Sequence, residues 1–196
     1  SRGADTNLMV APPRASTISD AALASLGAPA TLMMLREGDR IVQSVAVGIA
    51  NRRTGRLATI HDRWRIASVT KMVTAVVVMQ MVREGRLGLD NAVATYLPRA
   101  VPLADQITIR QLLNHTSGIP DYLAGPRVPI NVSARMLKAN LIRHRPFRQR
   151  LADANRQPRM FKPGEMHEYS NTNYLLLERI VARVSGMSLA QFTRSR

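Results

Sequence analysis

The pattern of apolar positions divides the chain into a short β part and a longer helical part. In ATLMMLREGDRIVQSVAVGIANRRTG, two apolar runs rich in β-branched residues flank a turn at residues 37–39, which is typical of a β-hairpin, and a second turn follows at 51–55. The preceding ISDAALASLGAP predicts a short helix with Ser19 or Asp20 as its N-cap and Gly27 at its end. Because a lone hairpin is only marginally stable, the sheet is expected to be incomplete.

After Arg65 the apolar residues take a helical spacing, and the most regular segment predicts a helix over residues 69–84, ended by Gly85. The other predicted helices lie within 87–98 (N-cap Asp90, ended by Pro98), within 107–118 (N-cap Thr108, ended by Gly118), over 133–144 and 172–184, near 150–155, and after the N-cap Ser188. The predicted fold class is therefore α+β: a mostly helical subdomain with an incomplete antiparallel sheet that consists of the N-terminal hairpin.

Length and composition indicate one domain with a buried core. The chain has 196 residues, of which 45% are hydrophobic and 21% charged. Residues 1–17 are predicted to form a leader and residues 18–196 one domain, in which 18–66 form the sheet portion and 67–196 the helical portion. The most apolar stretch, residues 72–82, is too short to cross a bilayer and is predicted as a buried helix, so no transmembrane segment is expected.

Basic residues outnumber acidic ones by 28 to 13, which gives a net charge of +15. Residues 127–162 hold ten Lys and Arg residues and a single acid, Asp153. Such a stretch either binds an anionic partner, such as a cell-wall polymer, a membrane surface or nucleic acid, or forms a solvated face. Because the stretch has no interleaved aromatic residues and no nucleic-acid motif, the solvated face is favoured and no nucleic-acid partner is expected.

The chain has no cysteine, which excludes disulfides, thiolate chemistry and cysteine-ligated metals. Its four histidines share no ligand spacing, so no metal site is expected. His115, in LLNHTSGIPDY, is a base or a metal ligand in the functional interpretation. Its place near a predicted helix C-terminus favours a structural role instead.

Ser68 and Lys71 are the first candidates for chemistry, in the segment RWRIASVTKM. Positions i and i+3 lie on one face of a helix, within reach of each other. A serine in the first turn lies where free backbone N–H groups favour developing negative charge, and a neighbouring lysine can take its proton. The alternative is an ordinary serine at the start of a helix, because S-x-x-K alone is a weak motif.

A second candidate pair lies in MFKPGEMHEYSNTNYLLLERIV, before a strongly predicted helix. Tyr169 can act as a base or a proton shuttle, and Asn171 offers both a donor and an acceptor to a substrate amide. The alternative is a helix N-cap at Asn171 or Thr172 beside a packed tyrosine.

In this order and at these separations, Ser68-x-x-Lys71, LLNHTSG, and Pro-Gly followed by Tyr169-x-Asn171 resemble the serine hydrolases of the β-lactamase and penicillin-binding fold. The Tyr-x-Asn form is similar to class C β-lactamases, D-alanyl-D-alanine carboxypeptidases and related esterases. The segments YSNTNYLLLERIVARVSGMS and HTSGIPDY most resemble the secreted carboxypeptidase branch, and the resemblance covers residues 20–196.

The resemblance implies an acyl-enzyme mechanism, in which Ser68 attacks a carbonyl, Lys71 and Tyr169 handle its proton, and Asn171 binds the substrate amide. The backbone N–H of Ser68 would supply half of the oxyanion hole. The implied substrate is a peptide ending in D-Ala-D-Ala, an ester or a β-lactam, with no cofactor, and the expected location is outside the cytoplasmic membrane. The alternative is a non-catalytic homologue that binds substrate or cell wall.

One motif of the family is missing from this chain. In the family, Lys-Thr-Gly or His-x-Gly follows Tyr-x-Asn, and neither occurs in the 25 residues after Asn171. The similar triplet at residues 53–55 precedes the serine and is predicted as a turn. The chain is therefore expected to be the N-terminal portion of a longer enzyme, and inactive or nearly so by itself. Rapid hydrolysis of a chromogenic β-lactam by the isolated chain would contradict this expectation.

Overall fold

The computed structural model describes residues 19–123 and 145–196. The chain divides into two compact units, Ser1–Arg65 and Ile66–Arg196. The predicted leader and the predicted helix over residues 133–144 lie outside the described residues.

The first unit is a short helix followed by an antiparallel sheet. The helix, α1 (Asp20–Ala24), begins after Ser19, whose side chain accepts a hydrogen bond from the backbone N–H of Ala22. The sheet has its strands in chain order: β1 (Ala30–Glu37), β2 (Arg40–Asn51) and β3 (Arg56–Leu57). The predicted hairpin is thus confirmed, whereas β3 was not predicted because two residues are too few to show an alternating pattern.

The second unit is helical, and a 3₁₀ turn over Ala67–Val69 leads directly into its first α-helix. Its described α-helices are α2 (Thr70–Arg83), α3 (Val93–Tyr96), α4 (Ile109–Leu113), α5 (Phe147–Asn155), α6 (Asn171–Ser185) and α7 (Leu189–Arg194). The predictions of a helix over 69–84, one over 172–184 and one capped by Ser188 are confirmed.

The core of this unit forms where α2 packs against α6. Both helices bury one apolar stripe, and the segment around α4 closes the core between them. The fully buried side chains of this core include Val78, Met81, Ile107, Leu112, Leu176 and Ile180. The packing holds the start of α2 close to the start of α6, where the candidate residues lie.

Two of the predicted helices are shorter than expected. Within residues 87–98, only the short helix α3 forms, and no side chain caps it. Asp90, the predicted N-cap, instead forms an ion pair with Arg110. The backbone explains the difference, because residues before α3 accept hydrogen bonds from the 107–110 segment and so cannot be helical.

The predicted helix within 107–118 keeps its N-cap at Thr108, which forms a capping box, but ends at Leu113. His115 then takes a left-handed conformation (φ 60°), which a helix cannot continue. The prediction that Gly118 ends the helix is wrong. Gly118 (φ 71°) instead lies where the loop passes close to the carbonyl oxygen of Phe161.

Candidate active site

Ser68 lies in the 3₁₀ turn that precedes α2, and Lys71 lies in the first turn of the helix itself. The Nζ atom of Lys71 donates to the Oγ atom of Ser68 at 3.3 Å. Ala67, directly before the serine, has a φ of 44°, a left-handed conformation that is unusual for a residue with a Cβ. Such strain next to an exposed serine hydroxyl is common at functional turns.

Tyr169 and Asn171 lie at the start of α6, about one hundred residues further along the chain. The hydroxyl of Tyr169 lies 2.7 Å from the Oγ atom of Ser68, and either atom can be the donor. The Nζ atom of Lys71 donates to the Oδ1 atom of Asn171 at 2.7 Å. The structure therefore brings together all four residues selected from the sequence, while their chemical roles stay predictions.

The ammonium group of Lys71 lies among aromatic rings as well as polar atoms. It is 4.8 Å from the ring centroid of Tyr169 and 5.5 Å from that of Tyr174. The Tyr174 hydroxyl donates to the carbonyl oxygen of Leu113, and burial raises the pKa of Tyr174, so this phenol stays protonated. Ring faces and the Asn171 oxygen together fix the lysine beside the serine.

His115 contacts residues next to the candidate site and the ring of Tyr169, but within the described residues it makes no hydrogen bond with Ser68 or Lys71. Its Nδ1 atom accepts hydrogen bonds from the backbone N–H of Ser170 at 3.2 Å and from the side-chain amide of Asn173 at 3.3 Å. Because two donors converge on Nδ1, the neutral ring carries its proton on Nε2. The ring also packs on that of Tyr169, with 4.7 Å between centroids. These contacts agree with the structural role favoured from the sequence.

The environment of His115 disfavours its charged form. Burial lowers the pKa of His115 most, the positive charge of Lys71 and the neighbouring His167 lower it further, and Asp121 opposes them. The imidazole is therefore kept neutral next to the candidate proton-transfer groups.

A buried polar network joins the loop after α4 to the first turn of α6. Ser117 donates to the Oδ1 atom of Asn173 at 2.6 Å, and both side chains are fully buried. The hydroxyl of Thr172 donates to the carbonyl oxygen of Pro120 at 2.6 Å and accepts from the backbone N–H of Tyr122 at 3.0 Å. From the sequence, Thr172 was considered only as a possible N-cap, a position that Ser170 takes in the structure. Ser117 and Asn173 were not singled out, although polar side chains at the start of an apolar helix were a usable signal.

Asp121 is a further site residue that the sequence analysis missed. Its Oδ2 atom accepts a hydrogen bond from the Nδ2 atom of Asn171 at 2.7 Å. The acid lies within HTSGIPDY, where only its histidine was weighed as a functional residue.

The described part of the basic stretch is largely engaged within the protein. Arg145 and Arg156 both pair with Asp153, and the half-buried Arg159 donates to backbone carbonyls. The guanidinium group of Arg150 lies 5.6 Å from the ring centroid of Tyr122. Whether this stretch forms a solvated face or binds an anionic cell-wall polymer stays a prediction.

Over residues 19–123 and 145–196, no three His, Asp or Glu side chains are grouped so that they could hold a metal ion. Within the same residues, every helix is too short or too polar to cross a membrane.

The family model described as Beta-lactamase matches residues 16–196 of this chain. Penicillin-binding protein 4* of Bacillus subtilis (strain 168) is 32% identical over 167 residues, which cover 83% of this chain and 34% of that protein. Esterase EstB of Burkholderia gladioli is 36% identical over 174 residues, which cover 82% of this chain and 42% of that protein.

Among solved structures, the D-stereospecific amidohydrolase from Streptomyces sp. has a TM-score of 0.73 with this chain at 31% identity. The similarity covers 87% of this chain and 48% of that chain. The chain thus spans between a third and a half of the length of the proteins compared.

Proposed function

Because the chain belongs to the beta-lactamase family, and shares its α+β fold with the amidohydrolase compared above, we propose that it acts as a serine hydrolase that forms an acyl-enzyme at Ser68. The observation that carries the proposal is the position of the Ser68 Oγ atom, 2.7 Å from the Tyr169 hydroxyl and 3.3 Å from the Lys71 Nζ atom. A hydroxyl flanked by two groups that exchange protons is the arrangement that activates a serine nucleophile.

In the first half-reaction, the Oγ atom of Ser68 forms a bond to the substrate carbonyl carbon, and its proton passes to the oxygen of Tyr169 in the deprotonated form, while Lys71 stays an ammonium group beside it. The backbone N–H of Ser68 stabilises the oxyanion. When the intermediate collapses, the bond to the leaving group breaks and the leaving group receives the proton. Water then attacks the acyl ester through the same groups, which releases the product acid and restores the serine.

Asn171 has the geometry of a residue that serves both the lysine and the substrate. Its Oδ1 atom is taken by Lys71 and one hydrogen of its Nδ2 atom by Asp121. The second hydrogen on Nδ2 is the group that we propose binds a substrate carbonyl oxygen.

The proposed substrate is a peptidoglycan peptide that ends in D-Ala-D-Ala, because the similarity includes penicillin-binding protein 4* and a β-lactam resembles that dipeptide. We also propose that the protein acts outside the cytoplasmic membrane, where peptidoglycan lies. The activity is proposed for the natural-length protein that carries these residues, since the chain spans only part of the length of the proteins compared.

A second candidate uses the same chemistry on smaller substrates. The similarity to an esterase and to a D-stereospecific amidohydrolase favours an ester or a D-amino-acid amide. Steady-state kinetics of the natural-length protein on a D-Ala-D-Ala peptide, a chromogenic ester, a D-amino-acid amide and a chromogenic β-lactam separate these classes. The proposal predicts the highest kcat/KM on the D-Ala-D-Ala peptide.

Two variants are needed to connect that activity to the site. Ser68→Ala is expected to abolish turnover of every substrate. Ser170→Ala is the matched control, because Ser170 lies between Tyr169 and Asn171 but its buried Oγ atom contacts no hydrogen-bonding group in the described residues. Turnover that survives Ser68→Ala would overturn the nucleophile, and the absence of turnover in a folded wild-type protein would favour a non-catalytic binding homologue.

A further inference from the structure

Hydrogen bonds to Asp121 and to its two neighbours in the chain hold this residue in place. Its Oδ1 atom accepts from the backbone N–H of Leu123 at 2.9 Å, and its backbone carbonyl accepts from the Nε2 atom of Gln157 at 3.1 Å. The residues on either side of it, Pro120 and Tyr122, are both hydrogen-bonded to the buried hydroxyl of Thr172. The Oδ2 atom is thereby held against the first turn of α6, where it accepts from Asn171 at 2.7 Å.

The Asn171 side chain lies between two groups of opposite hydrogen-bonding character. A carboxylate only accepts hydrogen bonds, and an ammonium group only donates them. With the Nδ2 atom on Asp121 and the Oδ1 atom on Lys71, both contacts are satisfied at 2.7 Å. If the amide were reversed, two acceptors would meet at Asp121 and two donors at Lys71.

We propose that Asp121 is a positioning residue that sets the orientation of the Asn171 amide, so that its oxygen faces Lys71 and its remaining N–H faces the substrate. The inference rests on the proposed function, because the amide matters for catalysis only if Ser68 is acylated. Asp121 contacts Asn171 but none of the proposed reacting groups, so it would act through Asn171.

The test measures the second-order rate constant and the stoichiometry with which a fluorescent penicillin acylates the natural-length protein. In Asp121→Ala, Asn171 loses the acceptor that fixes it, and acylation is expected to slow by about 10–100-fold, as is typical when an outer partner of a site residue is removed. In Asp121→Asn, the single amide oxygen can accept from Asn171 or from the backbone N–H of Leu123 but not from both, and the rate is expected to lie between those of wild type and Asp121→Ala.

The control is Asp90→Ala, which removes an exposed partner of Arg110 in the same unit, away from the site. A residue that only maintained the fold would lower the labelled fraction and leave the rate constant of the remaining protein unchanged. An unchanged rate constant in Asp121→Ala would overturn the proposal.

A double-mutant cycle tests whether Asp121 acts through Asn171. The double variant Asp121→Ala/Asn171→Ala is expected to react at the rate of Asn171→Ala alone. Losses that multiply would overturn the mechanism, because they would mean that Asp121 acts independently.

A spectroscopic readout keeps the inference separate from the proposed function. If the wild-type protein is not acylated at all, the proposed function fails, and the side-chain NH₂ signals of Asn171 in a ¹⁵N NMR spectrum decide the inference. These signals are identified by their loss in Asn171→Ala. They are expected to move in Asp121→Ala and to stay in place in Asp90→Ala, and signals that stay in place in both variants would overturn it.

Discussion

The hydroxyl of Tyr169 lies 2.7 Å from the Oγ atom of Ser68, although the two residues are 101 positions apart in the chain. The contact exists because α2 packs against α6 with the two helix starts side by side. It is the geometric basis of the proposed proton transfer.

Tyr169→Phe removes the hydroxyl and keeps the ring that packs on His115. Since general acid–base groups contribute about 10²–10⁴-fold, acylation of Ser68 is expected to slow by about that factor. Stopped-flow acylation by a fluorescent penicillin measures the effect, and a thermal unfolding curve that matches wild type serves as the control. A loss of less than threefold would leave Lys71 as the proton acceptor.

Folding stability is expected to fall in acid because of His115. Its folded-state pKa is lowered by burial, Lys71 and His167 below the ordinary value of 6.5. The unfolded chain therefore binds a proton more readily, so stability is fully present above about pH 6.5 and is lost as the pH falls through the folded-state pKa. Protonation of Nδ1 also breaks the hydrogen bond from Ser170.

Urea unfolding between pH 7.5 and pH 5 measures this dependence. His115→Asn is the informative variant, because asparagine tolerates the positive φ of this position and does not titrate. The variant is expected to lose part of the acid dependence. An identical dependence in the two proteins would show that other groups cause it.

Gly118→Ala is expected to destabilise the second unit by about 2–4 kcal/mol for two reasons. The backbone at this position is left-handed, which disfavours alanine, and the added Cβ would overlap the carbonyl oxygen of Phe161. Gly85→Ala separates the two effects, because Gly85 has a similar φ of 69° and no atom within 4 Å of the added Cβ. This control is expected to cost about 1 kcal/mol. Equal losses in the two variants would mean that the contact with Phe161 contributes nothing.

Ser170→Ala is expected to leave the free energy of unfolding unchanged or to raise it by up to about 1 kcal/mol, since a buried hydroxyl without a partner is removed. Denaturant titration at pH 7.5 measures the change. A decrease of more than about 1 kcal/mol would reveal a hydrogen bond that the Oγ atom makes in solution.

The sequence predicted the long elements and the four residues that meet at the candidate site, but not the residues that hydrogen-bond to them from the neighbouring loop. The segments that form α2 and α6 have strong apolar periodicity. The four candidate residues lie in recognisable motifs: Ser68, Lys71, Tyr169 and Asn171. The shortening of the helix within 107–118 depends on the left-handed turn at His115, which local pattern does not encode.

Asp121 and the Ser117–Asn173 pair were missed for a related reason. Their partners lie about 50 residues away, and the pairing depends on how the loop after α4 packs on α6. Periodicity and spacing describe local structure, whereas these hydrogen bonds are a product of the tertiary fold.

Mass spectrometry of the natural-length protein after reaction with a penicillin, followed by peptide mapping of the adduct, decides whether Ser68 is the nucleophile. Ser68 as the nucleophile predicts one equivalent of acyl adduct, on the peptide that contains Ser68, and none in Ser68→Ala. An adduct on any other residue, or no adduct in a folded protein that has been given a penicillin, an active ester and a D-amino-acid amide, would contradict it.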